Sequence, residues 1–179
     1  EMEIFKKTWD FVIETNEMLR AVFRWEKLEK PSQVILTEHP CEVRFHDLAV
    51  LESHQRQIAQ MAQMAQMVQI VLEEIKSKDR SEGFDLSRVP FRVTLCKLEE
   101  KKYEMIISNH HILYDGWSNG IILKEFFSAY HAYHAYHTQC QGGRSPEVPL
   151  KPLFKEFIRW LQNQDRNKQE QYWREYLAG

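Results

Sequence analysis

The sequence has no long apolar run and little cysteine. No apolar stretch approaches the ~20 residues that span a bilayer, and the first residues form an amphipathic stretch instead of the apolar region of a signal peptide. We therefore expect no membrane association and a cytoplasmic location. The three cysteines, Cys41, Cys96 and Cys140, are odd in number and far apart. This spacing argues against a disulfide framework and against a clustered thiolate metal site, and we interpret the cysteines as reduced structural thiols.

An excess of charge of either sign is also missing. The chain mixes 24 basic with 26 acidic residues along its length, so no basic face for nucleic acid stands out. With 43% hydrophobic and 28% charged residues, the 179 residues suffice for one compact domain or for one lobe of a larger domain. Residues 1–23 read as a helix already under way, so we expect further polypeptide before residue 1.

Apolar periodicity predicts helices and strands from one end of the chain to the other. The predicted elements, in chain order, are a helix within 1–23, strands at 21–25, 33–36 and 43–45, a long helix at 52–78, a hairpin of strands at 91–98 and 103–108, and helices at 121–136, 153–161 and 170–177. The long helix contains a near-repeat of Ala-Gln-Met triplets at 59–67. We interpret this repeat as a run of good helix formers.

The segment that carries chemistry follows the second strand of the predicted hairpin. It places His110 and His111 side by side, with Asp115 and Gly116 a few residues later. Strand ends that open into loops are where scaffolds present reactive groups, and an imidazole accepts a proton near neutral pH. Glycine after the aspartate permits a sharp backbone turn. A single histidine before an aspartate is a weak signal, whereas the doubled histidine followed by Asp-Gly-Trp-Ser is far more specific.

This segment resembles the HHxxxDG signature of nonribosomal peptide synthetase condensation domains, which belong to the chloramphenicol-acetyltransferase-like superfamily. Further blocks resemble the family in the same order: residues 16–23 are similar to RHExLRTxF, 84–86 with 90–92 to the FDL and P.FR block, 154–160 to YxDFAVW, and 172–179 to the segment after it. The first of these blocks departs from the pattern, because Thr15 and Asn16 replace Arg-His and Ala21 replaces threonine.

The resemblance implies an α/β fold, a chloramphenicol-acetyltransferase-like lobe in which a mixed β-sheet packs with helices. Residues 1–179 are then the amino-terminal lobe of a condensation domain, truncated at both ends and without the carboxy-terminal lobe. The implied active site is a tunnel between lobes, where donor and acceptor peptidyl carrier proteins present their groups on phosphopantetheine arms. No cofactor is expected to bind the lobe directly. An adenylation domain is expected next to the condensation domain.

The same resemblance implies roles for single residues. His111 is expected to act in the attack of the acceptor amine on the donor thioester, as general base or as a positioning group. His110 is expected to be structural, because successive side chains of a strand point to opposite faces. Asp115 is expected to pair with Arg20, and Gly116 to be the backbone pivot. We expect the next residue, a tryptophan, to pack rather than to contact substrate.

Three other interpretations remain open at this point. An epimerization domain shares the doubled histidine and the aspartate, but usually carries tryptophan directly after the serine, whereas here Trp117 precedes Ser118 and Asn119 follows. A lobe that only docks carrier proteins is the non-catalytic alternative. A metal site is the third interpretation, because His131, His134 and His137 are spaced for one helix face. No obvious carboxylate ligand accompanies them. We interpret their helix as exposed and amphipathic, and we predict no metal.

Overall fold

The computed structural model describes residues 2–49, 58–138, 146 and 150–178. The chain divides into two compact units, Glu1–Val148 and Pro149–Gly179. The first unit contains, in order, α1 (Met2–Thr15), a 3₁₀ turn (Glu17–Arg20), β1 (Ala21–Arg24), β2 (Ser32–Ile35), β3 (Val43–Asp47), α2 (Ile58–Glu82), β4 (Phe91–Glu99), β5 (Lys102–Asn109) and α3 (Gly116–Thr138). The second unit contains α4 (Phe154–Gln162) and α5 (Arg166–Leu177).

Two sheets form in the first unit. Strands β1 and β2 make an antiparallel pair. Strands β3, β4 and β5 make a second sheet in that order, in which β3 runs parallel to β4 and β5 runs antiparallel to it. The predicted hairpin of β4 and β5 is confirmed, and the second sheet is mixed, as predicted.

One face of the mixed sheet packs into the main core with α1 and α3. Apolar side chains recur on α1 at helical spacing, and Trp9 at the centre of this stripe is fully buried. Its ring stacks on Phe126 of α3 at 4.7 Å between centroids and lies 5.5 Å from Phe91 of β4. Burial of a side chain of this size contributes about 3 kcal/mol or more, so this cluster fixes α1 and α3 against the sheet.

The opposite face of the sheet packs against α2. Leu72 of α2 and Cys96 of β4 are buried there, together with Leu48 and Val68. Further along α2, Asp79 forms a buried ion pair with Arg92 of β4, at 2.6 Å between Oδ1 and Nε. Helix α2 is therefore fixed to the sheet by apolar packing around Val68 and Leu72 and by a charged contact near its end.

The second unit consists of two amphipathic helices with exposed aromatic rings. On α4, the rings of Phe157 and Trp160 stack at 6.0 Å, and Phe157 also lies near Phe154. Helix α5 begins where Asp165 accepts a hydrogen bond from the Lys168 amide at 3.1 Å. This cap explains why α5 starts earlier than the predicted 170.

Several predicted boundaries are wrong for local reasons. Helix α1 ends at Thr15 rather than continuing toward 23, because Asn16 bonds back to the Val12 carbonyl at 2.8 Å and a 3₁₀ turn follows. Helix α3 begins at Gly116 rather than 121. Its carboxyl-terminal half is exposed on one side only, because Ala129 and Tyr133 are buried whereas His131 and His137 are exposed.

Some predictions fall at or beyond the edge of the described residues. The Ala-Gln-Met triplets lie in α2, but positions 52–57 of the predicted long helix and Cys140 are outside the described residues. Cys41 and Cys96 are free cysteines. Within the described ranges, no helix combines the length and apolar character that crossing a bilayer requires. In that same part of the chain, no three His, Cys, Asp or Glu side chains are grouped to hold a metal ion.

Candidate active site

The doubled histidine lies directly beyond the end of β5. The last ladder pair of the hairpin joins Asn109 to Phe91, and the His110 amide then donates to the Pro90 carbonyl at 3.0 Å. This bond extends the strand register by one residue. The HHxxxDG segment, residues 110–116, is called the motif below. The backbone that leads into it is therefore fixed by the hydrogen bonds of the sheet.

His110 organises the turn that follows. Its carbonyl accepts from the Leu113 amide at 3.1 Å, and its ring Nδ1 accepts from the Ile112 amide at 3.1 Å. Leu113 is buried in the main core and anchors the far side of the turn. The ring of His110 thus bonds to backbone, and its structural role stays a prediction. The predicted reason is wrong, because β5 ends at Asn109 and both histidines lie beyond the strand.

His111 projects from this turn with an exposed side chain. No group among the described residues forms a hydrogen bond with its ring. The nearby carboxylate of Asp115 interacts with it electrostatically. An exposed imidazole without a hydrogen bond to the described residues retains both ring nitrogens for a substrate.

Asp115 is the N-cap of α3. Its carboxylate accepts from the backbone amide and from the hydroxyl of Ser118, each at 3.1 Å. These hydrogen bonds, with the amide of Trp117 and the charge of His111 as further contributors, hold the pKa of Asp115 below its usual range. The cap explains why α3 starts at Gly116, immediately after the motif turn.

The predicted ion pair between Asp115 and Arg20 is not formed. The guanidinium of Arg20 donates to the carbonyls of Ile13 at 3.1 Å, Glu14 at 3.2 Å, Thr37 at 2.9 Å and, by a short contact, Leu36. Ile13 and Glu14 lie in the last turn of α1, where unpaired carbonyls and the helix dipole favour a cation. Arg20 therefore joins the end of α1 to the segment after β2.

Gly116, which was expected to be the backbone pivot, does not have a left-handed conformation, because among the described glycines only Gly83 has a positive φ, of 64°. A Cβ at Gly116 would meet nothing within 4 Å. The expectation that Trp117 packs is wrong, since Trp117 is 89% exposed, and Ile112 in the turn before α3 is exposed as well. The motif is therefore flanked by apolar side chains that this unit does not cover.

Tyr114 is a residue that the sequence did not single out. It packs against the main core, and its buried hydroxyl has no hydrogen-bond partner among the described residues. Burial raises its pKa to about 12. It is therefore a neutral packing residue of the turn at physiological pH.

A polar cluster behind the hairpin was also missed. Asp79 of α2 accepts from the Nε of Arg92 at 2.6 Å and, by a short contact, from the hydroxyl of Ser108. Arg92 belongs to the segment 90–92 that resembles the P.FR block of the family. No signal pointed to Asp79, because a carboxylate on a polar helix face is usually solvated.

Comparisons with known proteins agree with this description. A family model for the condensation domain matches residues 1–179. Bacitracin synthase 3 of Bacillus licheniformis is 33% identical over 177 residues, and the match covers 98% of this chain and 2% of the relative. The chain thus spans a small fraction of the length of that curated relative.

Solved structures match the fold at lower sequence identity. The starter condensation domain of rhizomide synthetase RzmA has a TM-score of 0.76 at 20% identity, over 100% of this chain and 39% of that one. The epimerization domain from the third module of tyrocidine synthetase B has a TM-score of 0.53 at 20% identity, over 86% of this chain and 30% of that one. These matches confirm the predicted chloramphenicol-acetyltransferase-like α/β fold. With the family model matched from the first residue to the last, the chain belongs to the condensation domain family of nonribosomal peptide synthetases.

Proposed function

We propose that residues 1–179 form the amino-terminal lobe of an amide-forming condensation domain and that His111 is its catalytic residue. The observation that carries the proposal is the division of roles in the motif. Both residues are exposed, but the His110 ring bonds to the turn backbone, whereas the His111 ring has no hydrogen bond to the described residues. The free imidazole is the group available to a substrate.

In the proposed reaction, the acceptor amine on one carrier protein attacks the donor thioester carbon on the other. A carbon–nitrogen bond forms, and the carbon–sulfur bond breaks. His111 accepts a proton from the attacking nitrogen and returns it to the leaving thiolate, so charge and atoms balance. The phosphopantetheine arms belong to the carrier proteins and enter as parts of the substrates. An adjacent adenylation domain supplies the activated amino acid in this scheme.

A carboxy-terminal lobe is required to complete the site. Ile112 follows His111 in the chain and Trp117 lies in the first turn of α3, and the exposure of both supports a second surface over the motif. A covering lobe would exclude water and align the two substrates, and such alignment contributes more to rate than a general base alone.

The test is peptide formation by the intact condensation domain with two loaded carrier proteins. His111→Ala is expected to lower the turnover number by about 10²–10⁴. His131→Ala, which removes another exposed histidine of the same unit, is the matched control and is expected to retain wild-type turnover. Near wild-type turnover by His111→Ala would contradict the assignment.

The same assay separates the other interpretations. The 179-residue chain alone is expected to form negligible peptide, because orientation is lost without the second lobe. Full activity of this chain alone would refute the half-domain interpretation. Loss of the donor α-proton without peptide formation would favour epimerization. Carrier binding with neither reaction would favour a docking lobe.

A further inference from the structure

A buried polar cluster binds the end of β5 to helix α2. The cluster consists of Asp79 near the end of α2, Arg92 at the start of β4 and Ser108 at the end of β5. Asp79 is 7% exposed and Arg92 is 4% exposed. Buried charges require partners, and here the Asp79 carboxylate is engaged by Arg92 of β4 and by Ser108 of β5.

Asp79 uses both carboxylate oxygens and its carbonyl in this cluster. Oδ1 accepts from the Nε of Arg92 at 2.6 Å, and Oδ2 accepts from the hydroxyl of Ser108. Arg92 also donates to the carbonyl of Asp79 at 2.6 Å and to that of Gly83 at 3.0 Å. The contacts therefore fix the end of α2 against two strands at once.

The position of the cluster in the hairpin connects it to the motif. Arg92 lies opposite Ser108 in the strand register. Two residues beyond Ser108, the His110 amide bonds to the Pro90 carbonyl at 3.0 Å. Ser108 is thus the last residue of β5 whose side chain is tied to another element before the chain reaches His111.

No hydrogen bond to the described residues fixes the direction of the His111 ring. The direction of the ring follows from the backbone that carries it. A general base must lie within hydrogen-bond reach of the proton that it removes, and a misplacement of about 1 Å can cost 10²-fold in rate.

We propose that Asp79, acting through the hydroxyl of Ser108, is a positioning residue for His111. This inference rests on the proposed function of His111. Asp79 and Ser108 touch no reacting atom in it. They hold the strand end from which the motif turn starts, so that the imidazole meets the acceptor amine in a productive geometry.

The test uses the intact condensation domain with both loaded carrier proteins. Ser108→Ala is expected to lower the turnover number about 10- to 100-fold, with an unchanged KM for the carrier substrates and an unchanged circular dichroism spectrum. Ser108→Thr keeps the hydroxyl and is expected to restore most of the turnover. The matched control is Thr8→Val, which removes a buried hydroxyl that bonds to Ile4 within α1 and is expected to leave the turnover number unchanged.

A double-variant cycle separates positioning from a general structural role. If Ser108 acts through His111, Ser108→Ala should have no further effect on turnover when His111 is already alanine. Equal losses in both backgrounds, or wild-type turnover of Ser108→Ala, would overturn the inference. Should Ser108→Ala yield little folded domain, Ser108→Cys supplies a similarly sized side chain with a weak donor for the same cycle. Wild-type turnover of His111→Ala would instead refute the proposed function, so the two failures are distinguishable.

Discussion

Replacement of Arg92 by methionine is expected to destabilise the first unit strongly. Methionine retains much of the length of the side chain but leaves the Asp79 carboxylate buried without its positive partner. Breaking a buried ion pair on one side typically costs ~3–5 kcal/mol. Arg92 also contacts the ring of Phe84, at 4.3 Å from the centroid, and the variant loses this cation–π interaction of about 1 kcal/mol as well. The loss is a large fraction of the 5–15 kcal/mol by which typical domains are stable.

Urea denaturation of the 179-residue chain, followed by circular dichroism, measures this loss as a change in the free energy of unfolding. The double variant Arg92→Met with Asp79→Leu removes both charges and is expected to be more stable than Arg92→Met alone. Arg44→Met is the control, because Arg44 forms its ion pairs with Glu42 and Glu82 on the surface. Surface pairs contribute little to stability. A loss for Arg92→Met no greater than that for Arg44→Met, or a double variant that loses the sum of the two single losses, would refute the reasoning.

Two other predictions concern residues around the motif. Arg20→Ala and Asp115→Ala are expected to change the free energy of unfolding additively, because Arg20 bonds to backbone carbonyls and Asp115 caps α3. If the two losses of unfolding free energy measured in urea are not additive, Arg20 and Asp115 interact, and the absence of their ion pair from the structure is contradicted. Tyr114→Phe is expected to remove an alkaline loss of stability. Burial raises the pKa of Tyr114 to about 12, above its usual value of ~10, so the unfolded chain releases this proton first. The stability that the neutral Tyr114 hydroxyl contributes is fully present below pH ~10 and is lost as the pH rises through about 12. Equal unfolding midpoints of wild type and Tyr114→Phe across that window would contradict this account.

Periodicity predicted the elements of the fold because their burial patterns are local. Strands β4 and β5 are rich in branched and apolar residues and have a short charged turn between them, so the hairpin could be recognised from composition and spacing. Helix α1 has a buried stripe of apolar residues, and their helical spacing can be recognised in the sequence. Most helix boundaries were less accurate, because Asn16 and Asp115 act through hydrogen bonds to backbone amides and carbonyls that the apolar pattern does not contain.

The candidate site could be located from the sequence, but its contacts could not. The motif fixes where His110 and His111 occur along the chain. The partner of Arg20 depends on how the end of α1 approaches the segment after β2, which is a tertiary arrangement. Asp79 was missed for the same reason, since an acidic residue on α2 is buried only because Arg92 and Ser108 face it from the sheet.

Under the proposed function, the hydrogen bond of His110 gives a physical reason for two adjacent histidines rather than one histidine before an aspartate. The Nδ1 atom of His110 accepts from the Ile112 amide, so that nitrogen is occupied and cannot also take a proton from an amine. The turn that this bond closes carries His111 outward, while Leu113 is buried on its far side. Under the proposed function, one imidazole stabilises the loop and the other performs the proton transfer. A single histidine at this turn would have to do both with the same ring, and the geometry of the loop would then change whenever the ring bound substrate.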